Sequence, residues 1–168
     1  MRRRVVGIIG AGNASQQCLV DARALGAFVA QRGWIVLTGG RPAGVMAAAC
    51  AGAKDVPGSV TLGILPSAAG GVGPHVDIAV FTGMGDARNV INVLTSDVVV
   101  ACGVEGAGTA SEVALAIKAG TPVVLLGGSA SARDFFRGLQ GGESVLEAAT
   151  VEEAVRLIEA ALPHRPVS

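Results

Sequence analysis

The chain has 168 residues, 51% hydrophobic but only 3% aromatic, with 25 glycines and with 13 basic side chains balancing 13 acidic ones. Zero formal charge provides no long-range attraction to nucleic acid or an acidic membrane, and neither is expected as a partner. Three scattered cysteines and two distant histidines support neither a disulfide framework nor a metal centre.

The length suits a single α/β domain over residues 1–168, with a core of Ala, Val, Ile and Leu. No apolar run reaches the length of a membrane span, and no cleavage pattern follows Arg2-Arg3-Arg4, so the expected compartment is the cytoplasm. The arginine run reads as a solvated flank. Val5–Ile9 is a first buried strand, followed by the turn Gly10-Ala11-Gly12-Asn13-Ala14-Ser15 and a helix that Gly33 ends. Its GxG lacks the third glycine of a dinucleotide fingerprint, since Ser15 stands there, and no acidic residue follows the second strand to hold a ribose. Trp34–Thr38 is that second strand, and Gly39-Gly40-Arg41-Pro42-Ala43-Gly44 the second glycine turn. Residues 45–53 form a small-residue helix suited to lie against a sheet, with Trp34 and Met46 read as core. Val60–Leu65 is a third strand. The loop Ser67–Pro74 after it is long enough to cover a site, and Ile78–Phe81 is a short fourth strand.

The next helix opens at Gly83–Gly85 with Asp86 as its cap. Ala87, Val90, Ile91 and Leu94 fall on one face, leaving Arg88, Asn92 and Thr95 on a polar flank turned from the core. Asp97 starts the strand Val98–Cys102, whose unbroken apolar character implies burial on both faces at the centre of a parallel sheet. A third glycine turn, Gly103–Thr109, leads into a helix ended by Gly120, and Pro122–Leu126 is the last strand. Residues 129–144 are polar and glycine-rich with Phe135-Phe136 as their only anchor, and Thr150 with Glu153 makes a capping box for a terminal helix.

Strands alternating with helices predict a three-layer, doubly wound Rossmann-like α/β fold with a mainly parallel sheet. Ligands in such folds bind beyond the carboxyl ends of the strands, where strand order reverses. The three glycine turns all lie on that edge. They offer Gly10, Gly12, Asn13 and Ser15, then Gly39, Gly40, Arg41 and Gly44, then Gly106, Ala107, Gly108 and Thr109 as candidate binding residues. The third turn has the build of an anion site, because unpaired N–H groups at a helix start carry the positive end of the helix dipole. Thr109-x-x-Glu112 is equally a capping box that would only satisfy the helix itself, and the residues alone leave both readings open.

Thr38-Gly39-Gly40 with Gly44-Val45-Met46, then Ala87-Arg88-Asn89, Asp97, and Gly106-Ala107-Gly108-Thr109-Ala110-Ser111-Glu112 resemble the LOG-like (SLOG) Rossmann superfamily from about Val5 to Gly127. That superfamily includes the LOG phosphoribohydrolases, proteins mislabelled lysine decarboxylases, and a short branch with molybdenum cofactor carriers. The resemblance adds Arg88, Asn89 and Glu112 to the binding residues. In a hydrolase of nucleoside 5′-monophosphates, Arg88 and Glu112 would carry catalysis and Gly106, Gly108 and Thr109 would cradle phosphate. Three departures stand at this centre: Val104-Glu105-Gly106 replaces Pro-Gly-Gly, the segment from Asp97 is one residue longer, and Asn89 replaces Lys. The Arg-Asn pair and compact length look more like the carrier branch, whose members form homo-oligomers. The expectation is therefore a dimeric or tetrameric protein that binds a small phosphorylated ligand, molybdenum cofactor first and a purine nucleotide monophosphate second. The alternative is a LOG-type phosphoribohydrolase. Pyridoxal phosphate is rejected, because Lys54 and Lys118 both fall at the far ends of their helices from the glycine edge.

Overall fold

The computed structural model describes residues 2–104 and 106–162. In chain order the elements are β1 (Val5–Gly10), α1 (Gln16–Gln31), β2 (Ile35–Thr38), α2 (Gly44–Lys54), β3 (Val60–Leu65) and β4 (Ile78–Phe81). A 3₁₀ turn (Gly85–Arg88) then runs into α3 (Asn89–Thr95), followed by β5 (Val98–Cys102), α4 (Ala107–Ala119), β6 (Val123–Leu126), α5 (Ala130–Arg137), β7 (Val145–Ala148) and α6 (Val151–Ala161). The strands make one seven-stranded sheet in the order β4-β3-β2-β1-β5-β6-β7. Every pairing is parallel, so the sheet is wholly rather than mainly parallel.

The chain winds outward from β1 to β4, then crosses to β5 on the other side of β1 and winds outward again. Strand order therefore reverses between β1 and β5, whose ends meet in register at Gly10 and Cys102. Both strands are buried on both faces, as their continuous β-branched runs require. Helices α1, α2 and α6 bury their apolar stripes on one face of the sheet, and α3, α4 and α5 on the other. At the opposite edge, Asp97 accepts a hydrogen bond from Val5 N at 2.8 Å and pairs with Arg2 and Arg4, so two arginines of the N-terminal run tie β1 to β5 rather than standing free in solvent.

Three expectations change. The small residues of α2 serve α1 as much as the sheet: a Cβ added at Gly26 would lie 2.0 Å from Ala49 O, and one at Gly52 would lie 1.9 Å from Arg23 O. The two helix backbones touch there. Pro122–Leu126 does not contain the last strand, because β7 and α5 follow it. Strand β7 is four residues long with Glu147 in its middle, and its register comes from β6. Glu147 in turn pairs with Arg133 and Arg137 of α5, each at 3.3 Å. In α3 the inward residues are Asn89, Asn92 and Val93, while Val90 and Leu94 are exposed. The helical spacing is right and Ile91 packs inward against Val5, Leu37 and Ile64 as expected, but Val90 and Leu94 of the same expected face turn out while Asn92 turns in.

Candidate ligand-binding site

Because β1 and β5 end side by side, the turns that leave them diverge and open a crevice. Its floor is the start of α4. Gly106 is the cap of that helix and has no side chain to accept from its first turn, so Ala110 N is the first amide with an acceptor in the helix, Gly106 O at 3.0 Å. The N–H groups of Ala107, Gly108 and Thr109 are left without a helical acceptor. The capping box offered by Thr109 and Glu112 does not form: Thr109 lies inside the first turn, and the Glu112 carboxylate is bonded elsewhere. By contrast, half of the box at Thr150 and Glu153 forms: Thr150 accepts from Glu153 N, while the Glu153 carboxylate reaches past the cap to accept from Ala149 N.

Neither Gly106 nor Gly108 is demanded by the fold. Neither has a positive φ, and a Cβ added to either would meet no atom within 4 Å. Glycine in a helix costs about 1 kcal/mol against alanine. What the two glycines provide is open approach to the first-turn amides.

Helix α3 stands beside α4 and is fastened to it by two amides. Asn89 donates to Ser111 Oγ at 3.0 Å, and Asn92 donates to Glu112 Oε1 at 2.7 Å. Arg88 Nη1 lies 3.8 Å from the same Glu112 oxygen, within ion-pair range but beyond a hydrogen bond. Both side chains are nearly buried, 12% exposed for Arg88 and 9% for Glu112. Burial pushes the Glu112 carboxyl above its usual range, partly opposed by Asn92 and Arg88. Burial likewise lowers Arg88, which nevertheless stays charged. Among the described residues, Arg88 Nε and Asn92 Oδ1 are buried without a partner, and Glu112 lines the crevice. The crevice has a volume of about 260 Å³.

Of the residues singled out in the sequence, Gly10, Gly12, Gly39, Arg88, Asn89, Gly106, Gly108, Thr109 and Glu112 line this crevice. Asn13, Ser15, Gly40, Arg41, Gly44 and Ala107 do not. Ser15 caps α1 by accepting from Cys18 N. Gly40 packs on Gly63 and Leu65 of β3, and Gly44 on the backbone of Ala11 and Gly12. Arg41 reaches instead to Gly70, in the loop after β3. That loop is pinned to the second glycine turn by Gly73 N donating to Gly40 O at 2.8 Å, and none of its residues lines the crevice. Ile9, Ala11, Met46 and Asp86 were not expected at the site and line it. Asp86 sits inside the 3₁₀ turn rather than capping α3. Asn92 stands just behind. Its signal lies in the sequence as a polar residue at helical spacing four from Arg88, on the flank expected to turn from the core.

The sequence model of the SLOG cluster4 family matches residues 3–155. The chain belongs to the SLOG cluster4 family. The molybdenum cofactor binding protein from the phototrophic bacterium Rippkaea orientalis is similar in structure, with a TM-score of 0.92 and 44% identity over 97% of this chain and 99% of that one. The molybdenum cofactor carrier protein of Chlamydomonas reinhardtii has a TM-score of 0.88 and 45% identity over 95% of this chain and 99% of that one. An uncharacterized protein of Archaeoglobus fulgidus is 38% identical over 75% of this chain and 82% of its own length. In this SLOG cluster4 chain the Glu105 departure from the hydrolase pattern lies outside the described residues; of the other two, Gly106 lines the crevice and Val104 packs against the core around β5 and α4. Among the described residues no group of acidic, His or Cys side chains could hold a metal ion, and no helix is long and apolar enough to cross a membrane.

Proposed function

We propose that this chain is a one-domain cytoplasmic carrier that binds a phosphorylated heterocycle, with molybdenum cofactor as the ligand and a purine nucleoside monophosphate as its nearest chemical substitute. The observation that carries the reading is the bare first turn of α4, where Gly106 and Gly108 expose amides that no group among the described residues accepts from. A phosphate ester there completes three hydrogen bonds the helix cannot make, with Arg88 as the adjacent cation. The molybdenum-cofactor proteins of Rippkaea orientalis and Chlamydomonas reinhardtii, similar over nearly the whole chain, support the same ligand. Candidate contacts are Gly10, Gly12, Gly39, Arg88, Asn89, Gly106, Gly108, Thr109 and Glu112.

One observation favours a second reading, a LOG-type phosphoribohydrolase: Glu112 lines the crevice, where a carboxylate could stabilise oxocarbenium charge or orient water. Against it, one carboxylate oxygen is tied to Asn92 beside Arg88 and burial favours the neutral acid. Mass spectrometry of the small molecule that co-purifies from a molybdenum-replete host, together with chromatography of AMP incubations, separates the two. A bound pterin without release of free base supports the carrier, and release of free base and ribose 5-phosphate that Glu112→Ala abolishes sinks it. No pyridoxal phosphate takes part in this reading: Lys54 ends α2 and pairs with Asp77, and Lys118 lies in the last turn of α4.

The carrier reading includes a homo-oligomer, a dimer or tetramer. Supporting it, Ile78 and Val80 of the edge strand share their sheet face with Leu62 and Ile64 through the β3–β4 register and stay exposed, as do Val90 and Leu94 of α3. Light scattering after size exclusion should give a multiple of 16.6 kDa, reduced to the monomer mass by Leu94→Glu. A wild-type monomer would end this part of the reading.

A further inference from the structure

The phosphate end of the proposed ligand is accounted for by α4, whereas its flat ring needs a surface of its own. Proteins usually provide an aromatic side chain for this. This chain has one tryptophan, four phenylalanines and no tyrosine. All five are committed elsewhere: Phe28 packs edge-on against Trp34, Phe135 against Phe136, and Phe81 stands on the exposed edge strand. None lines the crevice.

The apolar side chains that do line it are Ile9, Ala11 and Met46. Ile9 is 3% exposed and offers almost no surface, and Ala11 offers a single methyl. Met46 is half-buried on the second turn's helix, and the wedge of Gly44 against Ala11 and Gly12 fixes where that helix starts. Its thioether is seated over Gly39. A Cβ at Gly39 would lie 2.8 Å from Met46 Sδ, and 2.9 and 3.0 Å from Arg88 Nη2 and Nη1. The absent side chain at Gly39 therefore lets Met46 and the guanidinium sit next to each other on one wall.

We propose that Met46 is the specificity residue of this site, the surface on which the planar heterocycle of the ligand lies, while Arg88 beside it takes the anionic end. An unbranched, polarisable thioether suits rings of different outline, and sulfur makes favourable contacts with aromatic rings. This inference rests on the carrier reading for the existence of a ring-bearing ligand, but the role of Met46 is separate from the phosphate cradle. Met46 has no charge, so it acts on the ring and leaves the phosphate untouched.

The chain contains three methionines, which makes the ε-methyl spectrum of protein labelled with [methyl-¹³C]methionine simple to assign, with Met46→Leu identifying the signal. AMP, 6-hydroxymethylpterin phosphate and the ringless ribose 5-phosphate are the probes, with affinities from calorimetry on the same samples. A ring that lies on Met46 moves its methyl signal upfield, and ribose 5-phosphate does not. Met46→Ala should weaken the ring-bearing probes about 2- to 10-fold and leave ribose 5-phosphate unchanged, and Met46→Leu should restore most of the loss. A ring probe that binds without moving the Met46 methyl, or a Met46→Ala loss equal for all three probes, refutes this inference and leaves the carrier reading intact. Failure of both ring probes to bind refutes the two together.

Discussion

Gly44 and Gly108 each stand in the first turn of a helix at the carboxyl edge of the same sheet, yet they answer to different demands. Gly44 has φ +54°, and a Cβ there would lie 2.1 Å from Ala11 O. Gly108 has neither a positive φ nor any atom within 4 Å of where its Cβ would be. The fold requires the first glycine, whereas the second keeps a surface accessible. A glycine-rich sequence therefore does not by itself mark a binding site. What separates the two kinds is whether protein or open crevice occupies the space of the missing side chain.

The largest test of this contrast is Gly44→Ala. It should cost about 3 kcal/mol or more, since strain and backbone overlap add, and denaturant melts measure it. A loss under about 1 kcal/mol would erase the distinction from Gly108. Next comes the tie that replaces backbone packing on the α4 side. Asn92→Leu removes the Glu112 hydrogen bond inside a nearly closed site and should cost about 1–3 kcal/mol. Asn92→Asp should cost more than the leucine variant, because it sets a second carboxylate against Glu112. Gly108→Ala should fold as well as the wild type or up to about 1 kcal/mol better. It should nevertheless bind phosphate esters about 10-fold more weakly, roughly 1.4 kcal/mol by calorimetry, and equal affinity would remove the argument for an amide cradle.

The smallest effect concerns pH. The buried Glu112 carboxyl holds its proton more tightly in the folded chain than in the unfolded one. Its contribution to stability is thus fully present below the ordinary glutamate value of 4.5 and is lost as pH rises through the higher folded value. Thermal melts from pH 4 to 8 should show wild type losing stability relative to Glu112→Gln, by about 1 kcal/mol for each unit of upward displacement. A flat difference would mean that Arg88 and Asn92 fully offset the burial.

Much of the scaffold was legible because it is written in local pattern. The run Val98–Cys102 announces a central strand, and glycines after β1, β2 and β5 announce turns on one edge. Strand β7 was not legible, since four residues with a glutamate in the middle become a strand only when β6 supplies hydrogen bonds and α5 supplies Arg133 and Arg137. The burial of α3 departs from its apolar pattern for a related reason. Apolar residues were assumed to point inward, but the inward side of this helix meets the polar first turn of α4, so Asn89 and Asn92 turn in and Leu94 turns out. Met46 reads as core in the sequence because a lone methionine in a small-residue helix carries no mark of a pocket wall.

The sequence by itself determined the order of strands and helices apart from α5 and β7, the parallel α/β architecture and, through family resemblance, the SLOG membership of the chain. Those depend on residue type, spacing and chain order, which survive without coordinates. Only the tertiary structure decided which glycines are spacers and which are access points, that Thr109 and Glu112 do not form a capping box, and that Met46 and Asn92 belong to the site. Each of those depends on what a neighbouring element places within a few ångströms, and no pattern local to one stretch of chain records it.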